Sequence, residues 1–439
     1  MSGLWIGAIG FAGLLVLMAL RVPIAVAMIV SALAGYAWLA GLTPLLAYLK
    51  TAPYALFSGY SLSVIPLFVL MGMFASEAGM SAALFRAADA WLGHRKGGLA
   101  MATIVGCAAF GAICGSSVAT AATMAQVALP EMRRYGYSGA ISTGTLAVGG
   151  TLGILIPPSI ILVVYGLICE QNIAKLFAAA FIPGLLATFG YLIAIAIYVR
   201  RNPEAAPAAA PSTPAQRRRG LIEVWPVIAI FVVVVGGLYG GIFTPTEGAA
   251  VGAFATFLAA VAKRALGWAQ MKRALLLTAE TSGMIFLILL GADLFNSFLA
   301  LSHLPDALAQ TISGLDLPPY AVMLAIMAIY IVLGCVMDEL SMILLTLPIL
   351  FPIVMGLDFG LPKAEVGIWF GILVLTVVGI GLVAPPVGLN VYVISGMARD
   401  VPRSETFRGV MPYLCADAVR VVYLVAFPSI SLWLVRLLG

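Results

Sequence analysis

Apolar residues run in long unbroken stretches along this chain, not in the alternating pattern of half-buried strands. Runs of about twenty residues, each able to cross the roughly 30 Å hydrocarbon core of a bilayer, recur at 3–20, 22–40, 54–80, 140–168, 176–199, 224–242, 246–262, 274–300, 366–398 and 409–437. Two further segments, 98–130 and 320–356, are too long for one simple helix, and each has a polar or Gly-rich break near its middle. The short alternating strands of a transmembrane β-barrel are absent. The pattern predicts an all-α polytopic membrane protein.

Composition agrees. Of 439 residues, 63% are hydrophobic and 9% charged, with a mean hydropathy of +1.11, against about 25% charged residues in a soluble domain. The first twenty residues lack a basic leader and a small-residue cleavage site, so they read as a retained span.

Charge fixes how the two long segments run. If each enters the membrane and returns to the same face, one side receives Arg21, Arg86, Arg95, Lys96, Arg133, Arg134, Arg200, Arg201, Arg217, Arg218, Arg219, Lys263, Arg264, Lys272, Arg273, Arg399, Arg403 and Arg408. The other side receives only Lys50, Lys175 and Lys363. That asymmetry is the positive-inside signal, and a single crossing of either segment would spoil it. Hence 98–130 is expected to be a re-entrant hairpin entering from the cytoplasm, and 320–356 one entering from outside. The net charge of +5 is then a topology signal and not a nucleic-acid footprint. The linker 200–223 falls on the cytoplasmic side and both termini on the periplasmic side. Two basic, partly amphipathic stretches, GLTPLLAYLK and KRALGWAQMKRA, are expected to lie along opposite membrane faces.

The Pro/Ala/Arg-rich linker divides the chain into two repeats, 1–199 and 224–439. The first contains scaffold spans 1–80, hairpin 98–130 and broken span 140–168; the second contains scaffold spans 224–300, hairpin 320–356 and broken span 366–398. A shift of 228 brings Pro157-Pro158 onto Pro385-Pro386, Gly153 onto Gly381, and Gly106-Cys107 onto Gly334-Cys335. Each half crosses the membrane an odd number of times, so the second half is inverted. The result is about ten membrane-spanning helices and two re-entrant hairpins in an inverted repeat, a secondary-transporter architecture.

Proline pairs break a helix, and broken backbone at membrane depth persists only where protein, water or ligand satisfies it. Freed carbonyls near Gly153 and Pro157, and near Gly381 and Ala384, are candidate Na⁺ ligands. The first hairpin tip adds Ser116 and Ser117, followed by Thr120 and Thr123; the second tip adds Asp338, Glu339 and Ser341. Hydroxyls supply oxygens without charge, and carboxylates in an apolar segment are functional candidates by default. Asp338 is the foremost candidate cation ligand, with Ser116, Ser117 and Ser341 completing the metal set. The substrate candidates are Ser116, Ser117, Thr120, Thr123, Ser159 and Asn390. Tight helix packing accounts for part of the glycine content, and a proline kink remains an alternative at each break.

Other chemistries find little support. Cys107, Cys114, Cys169, Cys335 and Cys415 have no CxxC spacing, and His94 and His303 lie in different halves with no HExxH motif. No GxxxxGK[ST] phosphate loop is present. A membrane-embedded enzyme would need a nucleophile and base in a matched constellation.

The stretch GCAAFGAICGSSVATAATMAQVALPEM, followed by GGTLGILIPPS and later GLVAPPVGLNVYVISG, resembles the large membrane subunit of TRAP (tripartite ATP-independent periplasmic) transporters across essentially the whole chain. The resemblance implies a bacterial inner-membrane, Na⁺-coupled importer of an organic acid. It further implies a small four-helix membrane subunit and a soluble periplasmic binding protein as partners. The wider ion-transporter superfamily implies an elevator-type transport unit moving against a scaffold. Its symporters carry Ser-Asn-Thr at each hairpin tip; Ser116-Ser117-Val118 matches in part, and Asp338-Glu339 departs from it. A stand-alone sodium/dicarboxylate symporter of the same superfamily is the alternative.

Overall fold

The structure, a computed structural model, describes residues 3–314 and 317–438. In chain order the helices are α1 (Gly3–Ala19), α2 (Ile24–Ala40), α3 (Leu42–Phe57), α4 (Val64–Glu77), α5 (Met80–Leu92), α6 (Gly98–Cys114) and α7 (Ser117–Arg134). The first half continues with α8 (Gly139–Leu155), α9 (Ile160–Ile168) and α10 (Ile173–Arg201). The second half contains α11 (Pro214–Tyr239), α12 (Pro245–Ala262), α13 (Trp268–Ser302), α14 (Leu304–Ser313), α15 (Pro319–Gly334) and α16 (Glu339–Gly356). It ends with α17 (Lys363–Gly381), α18 (Leu389–Met397), α19 (Arg403–Ala426) and α20 (Ser429–Leu438). Among the described residues, eight helices are long and apolar enough to span a membrane, and the bent pair α8–α9 makes a ninth. The shorter apolar helices α1 and α2 are 17 residues each.

Local chemistry sets several boundaries. Thr213 and Thr244 each close a capping box, with Gln216 and Glu247 at the third helical position and proline at the first. The segment read as an open linker is therefore helical from Pro214 onward. A separate surface helix at KRALGWAQMKRA does not form: nothing after Gly267 breaks the helix, and α13 runs for 35 residues from Trp268. That is about 52 Å of helix, longer than the bilayer core, so Lys272 and Arg273 lie on its overhanging end, while Lys263 and Arg264 fall in the turn after α12. GLTPLLAYLK becomes part of α3 and is parted from α4 by Ser58-Gly59 and a short 3₁₀ turn. The last apolar run breaks at Phe427-Pro428 into α19 and α20. The short amphipathic helix α14 lies outside every predicted span, and α5 overlaps one only at Met80.

The chain forms two compact units, each drawing on both halves. One comprises the chain up to Ser63 with Ala279–Ile326 and Leu340–Gly367. In it, Phe298 packs against Gly10 and Gly35, leaving no room for a side chain at either. The Tyr48 hydroxyl donates to Asp293 Oδ2 at 2.8 Å and lies 2.7 Å from Ser297 Oγ. Asp293 is thus tied up within the helix bundle. The ring of Tyr320, at the start of α15, meets that of Phe359, just beyond α16, edge-on with centroids 5.5 Å apart. The outer ends of the second hairpin therefore come together.

The other unit comprises Val64–Thr278, Met327–Glu339 and the chain from Ile368. Here the first hairpin closes on itself: the Leu99 N–H, at the start of α6, donates to the Tyr137 hydroxyl, just past α7, at 3.1 Å. A strap from the linker crosses both ends, with Gly97 N–H donating to Ala206 O and Ser138 N–H to Ala205 O. Arg133 pairs with Asp400, and Glu405 accepts from the Ala140 N–H at 3.0 Å. The loops carrying Arg95, Arg134, Arg201 and Arg403 thus share one face, as the charge pattern requires.

Candidate functional site

The first hairpin turns on two residues. Gly115 sits at φ 66°, where side chains are disfavoured, and ends α6. Ser116 is extended and caps α7, its hydroxyl accepting from Ala119 N–H. A helix N-terminus, with its partial positive charge, is thereby placed at the hairpin tip. The first break mirrors this arrangement. α8 ends at Leu155, Pro157-Pro158 follows with a cis bond, and Ser159 caps α9 by accepting from Leu162 N–H, with the two helices bent by 44°.

Tip and break are in direct contact. A side-chain carbon at Gly115 would lie 3.2 Å from Pro158 O, and one at Gly153 would lie 2.6 Å from Thr120 Oγ1 and 2.7 Å from Ser116 O. A hydroxyl and a carbonyl therefore converge over a residue with nothing to fill the space. Gly111 approaches Gly153 so closely that an added carbon on it would stand 2.5 Å from the Gly153 Cα.

The second half repeats the theme with a different register. The second break is also a cis proline pair, Pro385-Pro386, followed by Gly388 at φ 61° as cap of α18. Gly388 N–H donates to Cys335 O at the second tip, 3.2 Å away. A carbon added to Gly381 would stand 2.6 Å from Gly334 Cα. Gly334 thus plays the part of Gly111, and not of Gly106, which packs against Met124. The shift of 228 relates the breaks but not the hairpins, which are related by a smaller shift. The two breaks differ in exposure: Pro157 and Pro158 are buried, whereas Pro385 and Pro386 are exposed.

One residue joins the two repeats. Asn390 Nδ2 donates to Ser117 Oγ at 2.7 Å and to Ala147 O at 3.0 Å. The Ser117 N–H, in the first turn of α7, lies within hydrogen-bonding reach of the Glu339 carboxylate. Around that turn three buried oxygens have no hydrogen-bond partner: Thr120 Oγ1, Glu339 Oε2 and Asn390 Oδ1. Buried polar atoms are nearly always satisfied, so orphans gathered in one place point to a missing water or ion. The donor set is all oxygen and mostly uncharged, and no cluster of three or more His, Cys, Asp or Glu occurs among the described residues. Such a set suits a hard cation better than zinc.

The sequence-predicted residues divide accordingly. Ser116, Ser117, Thr120, Gly153 and Asn390 come together, with Pro157 buried beside them. Ser159 spends its hydroxyl on the helix cap, and the half-buried Thr123 makes no side-chain hydrogen bond among the described residues. Gly381 and Ala384 lie at the second break, where the carbonyls of Ala384 and Leu382 stand 3.1 and 3.3 Å from a carbon added to Gly388. Ser341 is buried on α16, within the other compact unit. Of the two acids at the second tip, Glu339 is the buried one, 7% exposed, while Asp338 is half-buried. The sequence pattern singles out Asp338; the structure buries Glu339, the first residue of α16, and leaves Asp338 half-buried.

Comparison with known proteins bears on what such a site serves. A family model described as "Tripartite ATP-independent periplasmic transporter, DctM component" matches residues 11–430. The chain belongs to this family. It is 35% identical over 389 residues to the C4-dicarboxylate TRAP transporter large permease protein DctM of Pseudomonas aeruginosa, covering 87% of each chain. It is 30% identical over 382 residues to the sialic acid TRAP transporter large permease protein SiaM of Vibrio cholerae, covering 86% of this chain and 87% of that one. The crystal structure of the Alcanivorax borkumensis YdaH transporter superposes with a TM-score of 0.60 over 88% of this chain and 89% of that one, at 14% identity. At that identity the likeness concerns the fold alone. This TRAP large permease is accordingly a multi-pass membrane transport protein and not an enzyme.

Proposed function

We propose that this TRAP permease imports an organic acid by Na⁺ symport. The observation that carries the reading is the set of three orphaned buried oxygens, on Thr120, Glu339 and Asn390, around the first turn of α7. Together with the Ser116 carbonyl over Gly153, they offer ligands for a hard cation without needing a metal-type cluster. In this reading Na⁺ completes the hydrogen-bonding deficit of the tip and the break, and fixes them against each other. The capped N-termini of α7 and α9 then favour an anion, because unpaired N–H groups and the helix dipole stabilise negative charge. A carboxylate fits that field, and the relatives named for C4-dicarboxylate and sialic acid carry acids. The fixed element is the carboxylate; the remainder of the substrate is left to side chains beyond the tips.

The first hairpin, both breaks and the tip of the second hairpin fall in one compact unit, which supports their moving together in an elevator cycle. The partners in this reading are a small membrane subunit and a soluble periplasmic binding protein. The chain would sit in a bacterial inner membrane with the strap of residues 203–209 on the cytoplasmic face, where the basic loops gather, and with its termini on the periplasmic side.

The test is uptake into proteoliposomes containing this chain, its small subunit and its loaded binding protein, under an imposed inward Na⁺ gradient. Accumulation of a carboxylate substrate that collapses when the gradient is removed is the expected result. Uptake indifferent to Na⁺ overturns the ion coupling. Full uptake by the chain alone turns the reading toward a stand-alone symporter.

A further inference from the structure

We propose that the groove between α10 and α19 binds an anionic phospholipid, its phosphate held by Arg201 and Arg408 and one acyl chain laid along the groove. The groove has a volume of about 720 Å³. Its walls include Phe189, Ile193, Ile197, Met411, Val419 and Tyr423, all strongly exposed apolar or aromatic residues. Its floor includes Gly190, Ala194 and Ala416, and a carbon added to Gly190 would touch Ala416 at 3.8 Å. Small residues here make the surface concave.

Charge is distributed along it in one direction only. The helices run antiparallel, so the end of α10, with Arg201, meets the start of α19, with Arg408. Both arginines are exposed, and neither forms an ion pair among the described residues. Arg420, toward the far end, is different: it is buried and bound to Asp417 at 2.8 Å, and Tyr191 donates to the same carboxylate at 2.9 Å. Its charge is matched internally, so the groove presents a basic mouth and an apolar body. From Arg408 to Tyr423 the groove runs about 22 Å along the helix, more than the roughly 15 Å of hydrocarbon in one leaflet. A lipid anchored at the mouth would lie within it along its whole tail.

The charge at the mouth favours this occupant over an apolar partner helix, which brings no anion to Arg201 and Arg408. The arginine pair selects among lipids, since the guanidinium fork matches phosphate oxygens bidentately and a net negative headgroup is drawn to basic residues at the membrane surface. A zwitterionic headgroup gains little of this.

Cys415 lies in the groove and is exposed, whereas the other four cysteines are buried. This permits a test on the unaltered protein. The full chain, stripped of lipid in detergent, is alkylated with a maleimide in the presence of phosphatidylglycerol, phosphatidylcholine or inorganic phosphate. Phosphatidylglycerol is expected to slow Cys415 alkylation, with little effect from the other two. Native mass spectrometry then compares retention of phosphatidylglycerol by the wild type, by R201Q/R408Q, and by Ala416→Trp, which fills the floor and leaves both arginines. R201Q/R408Q is expected to retain the lipid at least roughly tenfold less well, and Ala416→Trp to retain less than the wild type. Unchanged alkylation with phosphatidylglycerol, equal protection by phosphatidylcholine, or protection by free phosphate alone overturns the proposal. None of these readouts depends on transport, so they stand apart from the ion-coupled function.

Discussion

Asn390, the second residue of the helix that follows the second proline break, donates to Ser117 Oγ at the tip of the first hairpin over 2.7 Å. The same amide nitrogen donates to Ala147 O on α8, so a single side chain ties the second repeat to both halves of the first repeat's site. Both residues are fully buried, and a lost partner there leaves a group unsatisfied at about 1–3 kcal/mol. Asn390→Ala is expected to reduce Na⁺-driven uptake by at least about tenfold, on the order of that cost. Ser117→Ala should be milder, because Asn390 keeps Ala147. In a double-mutant cycle read by thermal unfolding, the double variant should lose clearly less than the sum of the singles. Strict additivity would show that the contact contributes nothing.

The two glycines that precede the breaks are expected to respond differently. A carbon at Gly153 enters the space framed by Thr120 Oγ1 and Ser116 O, while a carbon at Gly381 meets only the backbone of Gly334 and Cys335. Both substitutions overpack the interior, at about 1–3 kcal/mol each. Gly153→Ala should in addition raise the Na⁺ concentration for half-maximal uptake several-fold. Gly381→Ala should lower thermal stability by a similar amount with a smaller change in ion dependence. Equal Na⁺ dependence in the two variants would remove Gly153 from the ion site.

The second hairpin tip gives a third comparison. Glu339 is 7% exposed with an unpartnered Oε2 and faces the first turn of α7, whereas Asp338 beside it is half-buried. Glu339→Gln should therefore impair Na⁺-driven uptake more than Asp338→Asn, with the larger shift in half-saturating Na⁺. The reverse ranking, measured in the same proteoliposomes, would restore Asp338 as the principal acid.

Much of this architecture is legible in the chain because the bilayer allows few alternatives. Paired prolines in an apolar run have to break the helix, and Gly115 followed by two serines marks a tip at which one helix ends and the next is capped. The sorting of Arg95 and Arg134 to one face follows from charge alone, and the Leu99–Tyr137 contact across the hairpin mouth agrees with it. Less legible were features set by tertiary packing. The register between the hairpins depends on which glycine meets which, and Gly334 turned out to serve as Gly111 does. The choice between Asp338 and Glu339 depends on where α16 begins, a boundary the sequence leaves open by a residue or two. The helices α5 and α14 are short and amphipathic, with neither the length nor the uniform hydrophobicity of a span.

Asp89 supplies a prediction about pH. It lies on the amphipathic helix α5, outside the membrane spans, and burial together with the nearby Glu131 carboxylate raises its pKa above the usual range. Arg86 and Arg219 line the same small cavity, but Arg86 is bound to Glu223 at 2.9 Å and Arg219 to the same acid at 3.1 Å. Asp89 Oδ1 has no hydrogen-bond partner. A carboxyl whose pKa is raised on folding favours the native state while it is protonated, and that contribution is lost as pH rises through the folded-state value. The detergent-solubilised protein should therefore gain thermal stability at Asp89 on acidification from neutral pH. Asp89→Asn should unfold at a higher temperature than the wild type at pH 7, and the difference should shrink as pH falls. A variant less stable than wild type at neutral pH would mean that the Asp89 charge is compensated by Arg86 or Arg219 after all.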